Sequence, residues 1–303
     1  MAILVTGGAG FIGSHLTDSL IAKKHRVIVL DDLSSGFKKN INAQAKFYQL
    51  DIQNKKLKNI FKKEKPKIVY HLAAQINVRR SIQDPIFDAQ KNILGSLNLL
   101  ENCIKYAVKK FIFISTGGAI YGDGVKVPTQ ENALKRPTSP YGIAKLSIEK
   151  YLHYYNNQYN FRYTVLRLAN VYGPRQNWEG EAGVVAIFLN NLKNKKPLKI
   201  FGGKQTRDFV YVSDVVNACI KVLNQKKTAI YNIGTGEETT VNQLAKKILK
   251  ISNKKNTIKH LPYIKGEQLK NCLSFAKIKQ ELQWQPQYDL NRGLEATMDY
   301  FKK

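Results

Sequence analysis

Tyr141 and Lys145 are the residues whose types and spacing promise chemistry. They stand in Pro140-Tyr141-Gly142-Ile143-Ala144-Lys145, at the start of a helical pattern. Residues i and i+4 share one face of a helix, so the spacing predicts an ammonium near a phenol hydroxyl. A free phenol titrates at about pH 10 and is no base at neutral pH. A neighbouring positive charge favours the phenolate. Such a tyrosine can accept the proton of a hydroxyl while a hydride leaves the same carbon. Alone, Tyr-x-x-x-Lys is a common exposed helix pair. It acquires meaning from what accompanies it.

What accompanies it is a glycine loop near the start of the chain, Thr6-Gly7-Gly8-Ala9-Gly10-Phe11-Ile12-Gly13. Gly7 suits a tight turn, Gly10 allows a pyrophosphate to approach the backbone, and Gly13 allows close packing of the following helix. Phe11 and Ile12 open that helix, whose free N–H groups and dipole favour phosphate. The plain alternative, a structural glycine turn, lacks the strand–turn–helix context seen here. The next strand ends in Leu30-Asp31-Asp32. Acidic residues about 20 positions past the glycines bond ribose hydroxyls and repel a 2′-phosphate, which points to NAD over NADP. Arg26 lies before that strand, where it cannot serve a 2′-phosphate.

The elements that must position these groups are legible as alternating short apolar runs and helical patterns. Candidate strands are Ala2–Thr6, Val27–Leu30, Lys46–Gln49, Ile68–His71, Phe111–Ser115 and Tyr163–Leu168, with amphipathic stretches such as Gly13–Lys23 and Pro85–Ala107 between them. This rhythm predicts an α/β class, a Rossmann doubly wound parallel sheet. After Tyr172-Gly173-Pro174 the rhythm weakens. The expected organisation is a dinucleotide-binding domain over 1–171, to which 208–233 returns, and a smaller C-terminal α/β substrate domain over 172–303. The tail, Phe275–Lys303, reads as two short helices around Trp284-Gln285-Pro286.

Composition narrows the function classes. Of 303 residues, 43% are apolar and 23% charged, ordinary for a globular chain. No apolar run reaches the roughly 18 residues of a membrane span. The first residues read as strand and glycine turn rather than as a signal peptide, so the expectation is cytoplasmic, with no membrane partner. Cys103, Cys219 and Cys272 are widely spaced and read as reduced structural thiols, with no metal site. The net charge of +27 is mostly dispersed lysine pairs, without clusters that interleave arginine and aromatics. It reads as solvated surface attractive to an anionic substrate, and no nucleic-acid partner is expected.

Taken together these motifs resemble the extended short-chain dehydrogenase/reductases, within them the NAD-dependent epimerase/dehydratase family and in particular its UDP-glucose 4-epimerase branch. The resemblance runs over nearly the whole chain. It is carried by Gly7–Gly13, Asp31-Asp32-Leu33-Ser34-Ser35-Gly36, His71-Leu72-Ala73-Ala74-Gln75, Gly117-Gly118-Ala119-Ile120-Tyr121-Gly122, Tyr141 with Lys145, Arg167 to Arg175, Gly180 to Val185, and Arg207 to Val212. It implies tightly held NAD, a UDP-hexose substrate and 4-epimerisation by transient oxidation at C4. It also implies a homodimer built on helices such as Pro85–Ala107 and Tyr141–Asn157.

Residue by residue, the resemblance implies that Asp51 and Ile52 flank the adenine and that Leu72, Ala73 and Ala74 line the cofactor cleft. Asn92 would face the cofactor, Asn170 and Val185 would contact substrate, and Arg207 would pair with its diphosphate. Three positions depart from the family pattern. Gly117 stands where a catalytic Ser or Thr is usual, so Thr116 or Ser115 must donate the hydrogen bond, and Thr116 is the candidate, with Ser115 at the cofactor. Ile264 stands where a second diphosphate-clamping Arg is usual, leaving Lys265 or Lys204 as point charges. Asn271, at a position that gates the sugar 2-substituent, leaves room for UDP-GlcNAc and UDP-GalNAc.

Other readings remain in view. A UDP-uronate epimerase, a one-way 4-keto-sugar reductase, a dehydratase, a catalytically silent NAD-binding regulator and a basic nucleic-acid binder all share parts of this pattern. Dehydratases carry an Asp-Glu pair just after the catalytic Thr, and Gly117-Gly118-Ala119 contains no acid. Asp31 argues against the NADPH a reductase would use, and retention of Tyr141 with Lys145 argues against silence.

Overall fold

The computed structural model describes residues 1–179, 183–254, 256–263 and 268–302. In chain order the first part contains β1 (Ala2–Thr6), α1 (Phe11–Ala22), β2 (Arg26–Asp31), β3 (Lys46–Gln49), α2 (Leu57–Glu64), β4 (Ile68–His71), α3 (Val78–Gln83), α4 (Pro85–Ala89), α5 (Gly95–Lys105) and β5 (Lys110–Thr116). A single π-helical stretch, Gln90–Leu94, joins α4 to α5. Next come α6 (Gly117–Ile120), α7 (Pro140–Tyr159), β6 (Arg162–Leu168), β7 (Asn170–Tyr172), α8 (Val184–Lys193) and β8 (Leu198–Phe201). The remainder is β9 (Thr206–Arg207), β10 (Phe209–Tyr211), α9 (Val212–Leu223), β11 (Ala229–Ile233), β12 (Thr239–Thr240), α10 (Val241–Ser252), β13 (Ile258–Leu261), α11 (Ala276–Leu282) and α12 (Leu290–Lys302).

Seven strands form one sheet in the order β11-β6-β5-β4-β1-β2-β3. Every neighbouring pair is parallel. The six strands read from the sequence are all present, each within one residue of its expected ends. A parallel sheet is covered on both faces, so its strands are apolar at consecutive positions rather than at alternate ones. Ile3, Val5, Val27 and Val29 face one apolar cluster under α1 and α9, while Leu4, Ile28 and Leu30 face another under α2, α5 and α7. The seventh strand, β11, reaches the sheet after the excursion through β7–β10 and pairs with β6.

A third cluster gathers α8, α10 and α12 around Phe188, Leu244 and Phe301. Trp284 ties the tail back: it is buried, and its indole N–H donates to the Asp214 carbonyl at 3.0 Å. The amphipathic stretch expected as one helix over Pro85–Ala107 is broken by the π-helical turn, which changes which side chains of that stretch face the sheet edge.

A hydrogen-bond chain crosses the sheet at its C-terminal edge. His71, at the end of β4, has Nδ1 at 2.8 Å from Thr6 Oγ1 and Nε2 at 2.8 Å from Ser96 Oγ. Ser96 gives its own hydrogen to the Asn92 carbonyl, so it accepts from His71, and the ring is neutral with its hydrogen on Nε2. Burial, and then the nearby Lys145 charge, push the His71 pKa down to about 3. The folded value lies below the unfolded one, so this contribution to stability is complete above about pH 6.5 and drains away as pH falls toward 3. Acidification to pH 5 is expected to cost about 2 kcal/mol through this residue alone. Thermal melting against pH checks it: wild type loses stability between pH 7 and 5, and His71→Gln shows a flatter slope. An equal slope in both would refute the assignment.

Candidate functional site

The order of strands reverses between β1 and β4, and ligand crevices open at such a reversal, beyond the carboxyl ends of the strands. A cavity of 740 Å³ lies there. The glycine loop forms its floor. Gly7 sits at φ +72°, a left-handed value open to glycine, and donates its N–H to the Leu30 carbonyl at 2.9 Å. A Cβ on Gly7 would come within 2.7 Å of the Ala73 nitrogen, and one on Gly13 within 2.1 Å of the Gly7 carbonyl oxygen. The loop therefore closes on itself only without those side chains. Gly10 is the N-cap of α1 and offers no side-chain cap, which leaves the first N–H groups of the helix for a ligand. Phe11 and Ile12 line the cavity beside it.

The acidic end is built by three aspartates. Asp31 closes β2, and its two oxygens accept from the N–H groups of Ala9 and Leu33, each at 2.9 Å. Burial raises its pKa, and those two bonds and the Asp32 charge act after it. Asp32 accepts from the Ser34 backbone N–H at 2.9 Å and lies 3.8 Å from Lys91. Lys91 also pairs with Asp51. Ile52, Leu72, Ala73 and Ala74 complete the wall. Lys91 has no place in any of the sequence motifs; only the fold brings it between two carboxylates.

Tyr141, Lys145, Thr116 and Ser115 meet at the inner end of the same cavity. Helix α7 starts where Ser139 Oγ accepts from the Gly142 N–H at 3.2 Å, with Pro140 in its first turn. A Cβ on Gly142 would meet the Ala119 carbonyl oxygen at 2.4 Å, so glycine is what allows α7 to start against α6. Lys145 is 5% exposed, and its ammonium donates to the Ile114 carbonyl at 2.9 Å. It stands 4.8 Å from the Phe113 ring centroid and 5.9 Å from that of Tyr141.

The spacing places an ammonium near the phenol, and Lys145 does lie beside Tyr141, but with no hydrogen bond between the two side chains among the described residues. The lysine is on the same face, but its proton goes to a backbone carbonyl. Burial, seconded by the Asp88 charge, holds Tyr141 well above the ordinary phenol range. Burial also brings Lys145 down to about 8, against the opposing pull of Asp88 and Glu149. The resting site thus holds a neutral phenol beside an ammonium that titrates near neutrality.

The two hydroxyls beside them differ. Ser115 gives its hydrogen to Glu149 at 2.6 Å, and Glu149 is held in turn by Arg167 at 2.5 Å. Thr116 Oγ1 accepts from the Ala119 N–H at 3.3 Å as the cap of α6, and its own hydrogen has no acceptor among the described residues. Thr116 is therefore the hydroxyl able to donate into the cavity.

Other expected contacts fall elsewhere. Asn92 lies outside the cavity lining. It is buried behind the wall, where it accepts from the Gln75 N–H at 2.8 Å and donates to the Gln75 carbonyl at 2.9 Å. The π-helical turn carries it there. Val185 is 1% exposed in the third apolar cluster, so its side chain serves packing. Asn170 sits in β7, its N–H donating to the Asp208 carbonyl at 2.9 Å. Arg207 donates Nη1 to the carbonyls of Thr206 and Gln268, each at 2.8 Å. None of the four lines the cavity.

Asn271 is also outside the lining and is 4% exposed. Its amide nitrogen lies 3.2 Å from Gln268 Oε1, and its Oδ1 is buried without a partner. The positions Gly180, Glu181, Ala182, Ile264, Lys265 and Gly266 fall outside the described residues. Toward that side the cavity continues along Val171, Arg175, Gln176 and Glu179.

The donor set fits a dinucleotide. An uncapped helix N-terminus would meet the diphosphate, the aspartates would stand at the ribose end, and Leu72, Ala73 and Ala74 line the cavity that also holds Tyr141. Among the described residues, no group of three or more His, Cys, Asp or Glu could hold a metal ion, and no helix is long and apolar enough to cross a membrane.

Comparison with known proteins gives one consistent result. The profile of the NAD dependent epimerase/dehydratase family matches residues 3–234. A putative UDP-glucose 4-epimerase of Methanocaldococcus jannaschii is 45% identical over 302 residues, covering 99% of this chain and 98% of its own. The crystal structure of UDP-glucose 4-epimerase with UDP-glucose from Thermotoga maritima superposes with a TM-score of 0.98 at 50% identity, over 100% of this chain and 99% of the other. That of the Thermus thermophilus UDP-glucose 4-epimerase in complex with NAD superposes with a TM-score of 0.95 at 38% identity, over the same shares.

The loop geometry yields a direct expectation. Gly13→Ala places a methyl 2.1 Å from the Gly7 carbonyl, so the loop must open. The variant is expected to lose about 1–3 kcal/mol of stability and its bound dinucleotide. Melting and the absorbance of nucleotide released on denaturation report both, and a variant that keeps its cofactor would contradict the assignment.

Proposed function

The chain belongs to the NAD-dependent epimerase/dehydratase family, and we propose that it is an isomerase, a 4-epimerase of a UDP-hexose. The observation that carries this reading is the meeting of Tyr141, Lys145 and Thr116 at the inner end of a cavity floored by the glycine loop. No carboxylate stands among Gly117, Gly118 and Ala119, where dehydration would use one.

When bound, NAD supplies the hydride acceptor and donor for sugar C4 and a positive ring that favours the phenolate. Tyr141 Oη takes the C4 hydroxyl proton and gives it back after the sugar has presented its other face. Thr116 donates its free hydroxyl hydrogen to the C4 oxygen. Lys145 remains an ammonium through the exchange and supplies the fixed positive charge that offsets burial of the phenolate. Asp31 and Asp32 hold the ribose hydroxyls and exclude a 2′-phosphate. Residues 1–171 with 208–233 hold the cofactor, and 172–303 hold the nucleotide sugar, with Arg207 as the partner that the family resemblance gives its diphosphate.

The protein works as a homodimer in the cytoplasm in this reading. Ile82, Ile86, Ile143 and Tyr154 are exposed on the mutually packed helices α3, α4 and α7, an apolar surface of the kind a second copy covers. All three cysteines are free and buried, in keeping with a reducing compartment.

Nuclear magnetic resonance of the purified protein with UDP-glucose, UDP-GlcNAc and UDP-glucuronate, without added NAD, tests the assignment. A 4-epimer is expected in at least one tube. Epimer in none, or a net oxidised or dehydrated product, refutes it. Tyr141→Phe is expected to lower kcat about 10²–10⁴-fold with little change in KM. In the holoenzyme, where the positive nicotinamide ring opposes the upward shift of Tyr141, kcat is expected to rise with pH as the phenol ionises and to fall above about pH 8, where Lys145 loses its proton. A profile flat across that range would count against the pair.

A further inference from the structure

We propose that Asp88 is a positioning residue for this reaction, a buried carboxylate that clamps the Gln75 wall of the cavity and stands as counter-charge to the Lys145 ammonium. The inference rests on the reading of Tyr141 and Lys145 as the proton-transfer pair.

The clamp is visible bond by bond. Asp88 lies on α4, whose first turn is fixed by Pro85 and by Asp84 accepting from the Phe87 N–H at 2.9 Å. Asp88 Oδ1 accepts from Gln75 Nε2 at 2.8 Å and from Asn92 Nδ2 at 2.9 Å. Asn92 holds both backbone groups of Gln75, and the Gln75 amide is tied further to the Asn77 N–H and carbonyl. Gln75 lines the cavity that Tyr141 and Lys145 share. Every polar atom of Gln75 is thus hydrogen-bonded.

That clamp explains one oxygen of Asp88 and not the other. Oδ2 is buried with no hydrogen-bond partner, on a residue that is 1% exposed. An asparagine would offer the same single acceptor to Gln75 and Asn92 without the desolvation of a charge. A carboxylate stands where an amide oxygen would accept both of these bonds. What the amide lacks is the negative charge, and the helix packed on α4 is α7, which carries Tyr141 and Lys145.

The groups facing Asp88 come from each neighbouring element. Helix α3 brings Arg79 and Arg80, and Arg80 is engaged over the Phe87 ring at 3.9 Å. The π-helical turn brings Lys91, paired with Asp51 and Asp32. Helix α7 brings Tyr141, Lys145 and Glu149, and Glu149 is neutralised by Arg167. His71 of β4, linked to Asn92 through Ser96, is neutral. Asp88 is thus the buried carboxylate near Lys145 that no described ion pair neutralises. Its charge favours the Lys145 ammonium against burial and holds the Tyr141 proton in place between turnovers.

Asp88→Asn keeps the volume and the acceptor oxygen and removes the charge. With UDP-glucose as substrate, both limbs of the kcat–pH profile are expected to move to lower pH by about 1 unit, with KM and melting temperature unchanged. A merely structural role would alter stability or KM and leave the limbs in place, and limbs that stay put overturn the proposal.

A second measurement needs neither turnover nor the Asp88→Asn variant. Carbon-13 resonance of the Asp88 carboxyl in the holoenzyme is expected to show it ionised near pH 7, titrating at higher pH in Lys145→Met than in wild type. A neutral Asp88 near pH 7, or identical titrations in the two proteins, overturns the proposal. The outcomes separate from those of the parent reading. Full activity in Tyr141→Phe sinks the proton-transfer pair, whereas unmoved limbs in Asp88→Asn, with Tyr141→Phe inactive, sink the counter-charge alone.

Discussion

A lysine ammonium kept out of water is the constraint on which the rest of this structure turns. Lys145 is almost fully buried, and a lone buried ammonium would shed its proton. Three arrangements oppose that loss. The Ile114 carbonyl at the end of β5 accepts from it, the Phe113 ring lies 4.8 Å away, and the negative charges of Asp88 and Glu149 favour its charged form. The first two depend on β5 running beside β4 and β6 in the centre of the sheet, where neighbours on both sides fix its backbone. The topology that builds the crevice is therefore also what makes a charged lysine tolerable inside it.

The same crevice is prepared for a dinucleotide at its other end by subtraction. Gly7 and Gly13 are defined by what they lack, since a methyl on either would collide with backbone atoms of the loop or of the Ala73 segment. Asp31 braces that loop through the Ala9 N–H and its own following turn through the Leu33 N–H while lining the cavity, so the acidic lining and the loop shape are coupled through one side chain. The neutral chain Thr6–His71–Ser96–Asn92 then links the floor at β1 to the wall at Gln75. Floor and wall thus form one connected polar framework.

Much of this was legible in the chain because it is local. The glycine loop, Asp31 and the Tyr141–Lys145 pair are each read within a few residues of strand or helix, where spacing dictates placement. The strands were legible because both faces of a parallel sheet demand apolar runs. What escaped is what depends on distant partners. Asn92 is expected to face the cofactor from a regular helix, but the π-helical turn rotates it behind Gln75. Val185 follows a motif yet packs inward, because the register of α8 against α10 and α12 was invisible beforehand. Lys91 reaches Asp51 across 40 positions of sequence, and no pattern announces that pair. For Tyr141, helical spacing gives proximity to Lys145, while the upward direction of its shift comes from desolvation and from Asp88, which spacing does not show.

The central claim is that the ammonium of Lys145 makes a phenolate attainable at Tyr141 despite its burial. Direct observation of that ionisation is the sharpest measurement. With tyrosine labelled with carbon-13 at Cζ, and the Tyr141 resonance assigned by its disappearance in Tyr141→Phe, the holoenzyme can be titrated with and without the lysine charge. The account predicts that Tyr141 ionises at lower pH in wild type than in Lys145→Met. Ionisation at the same pH in both proteins would contradict it.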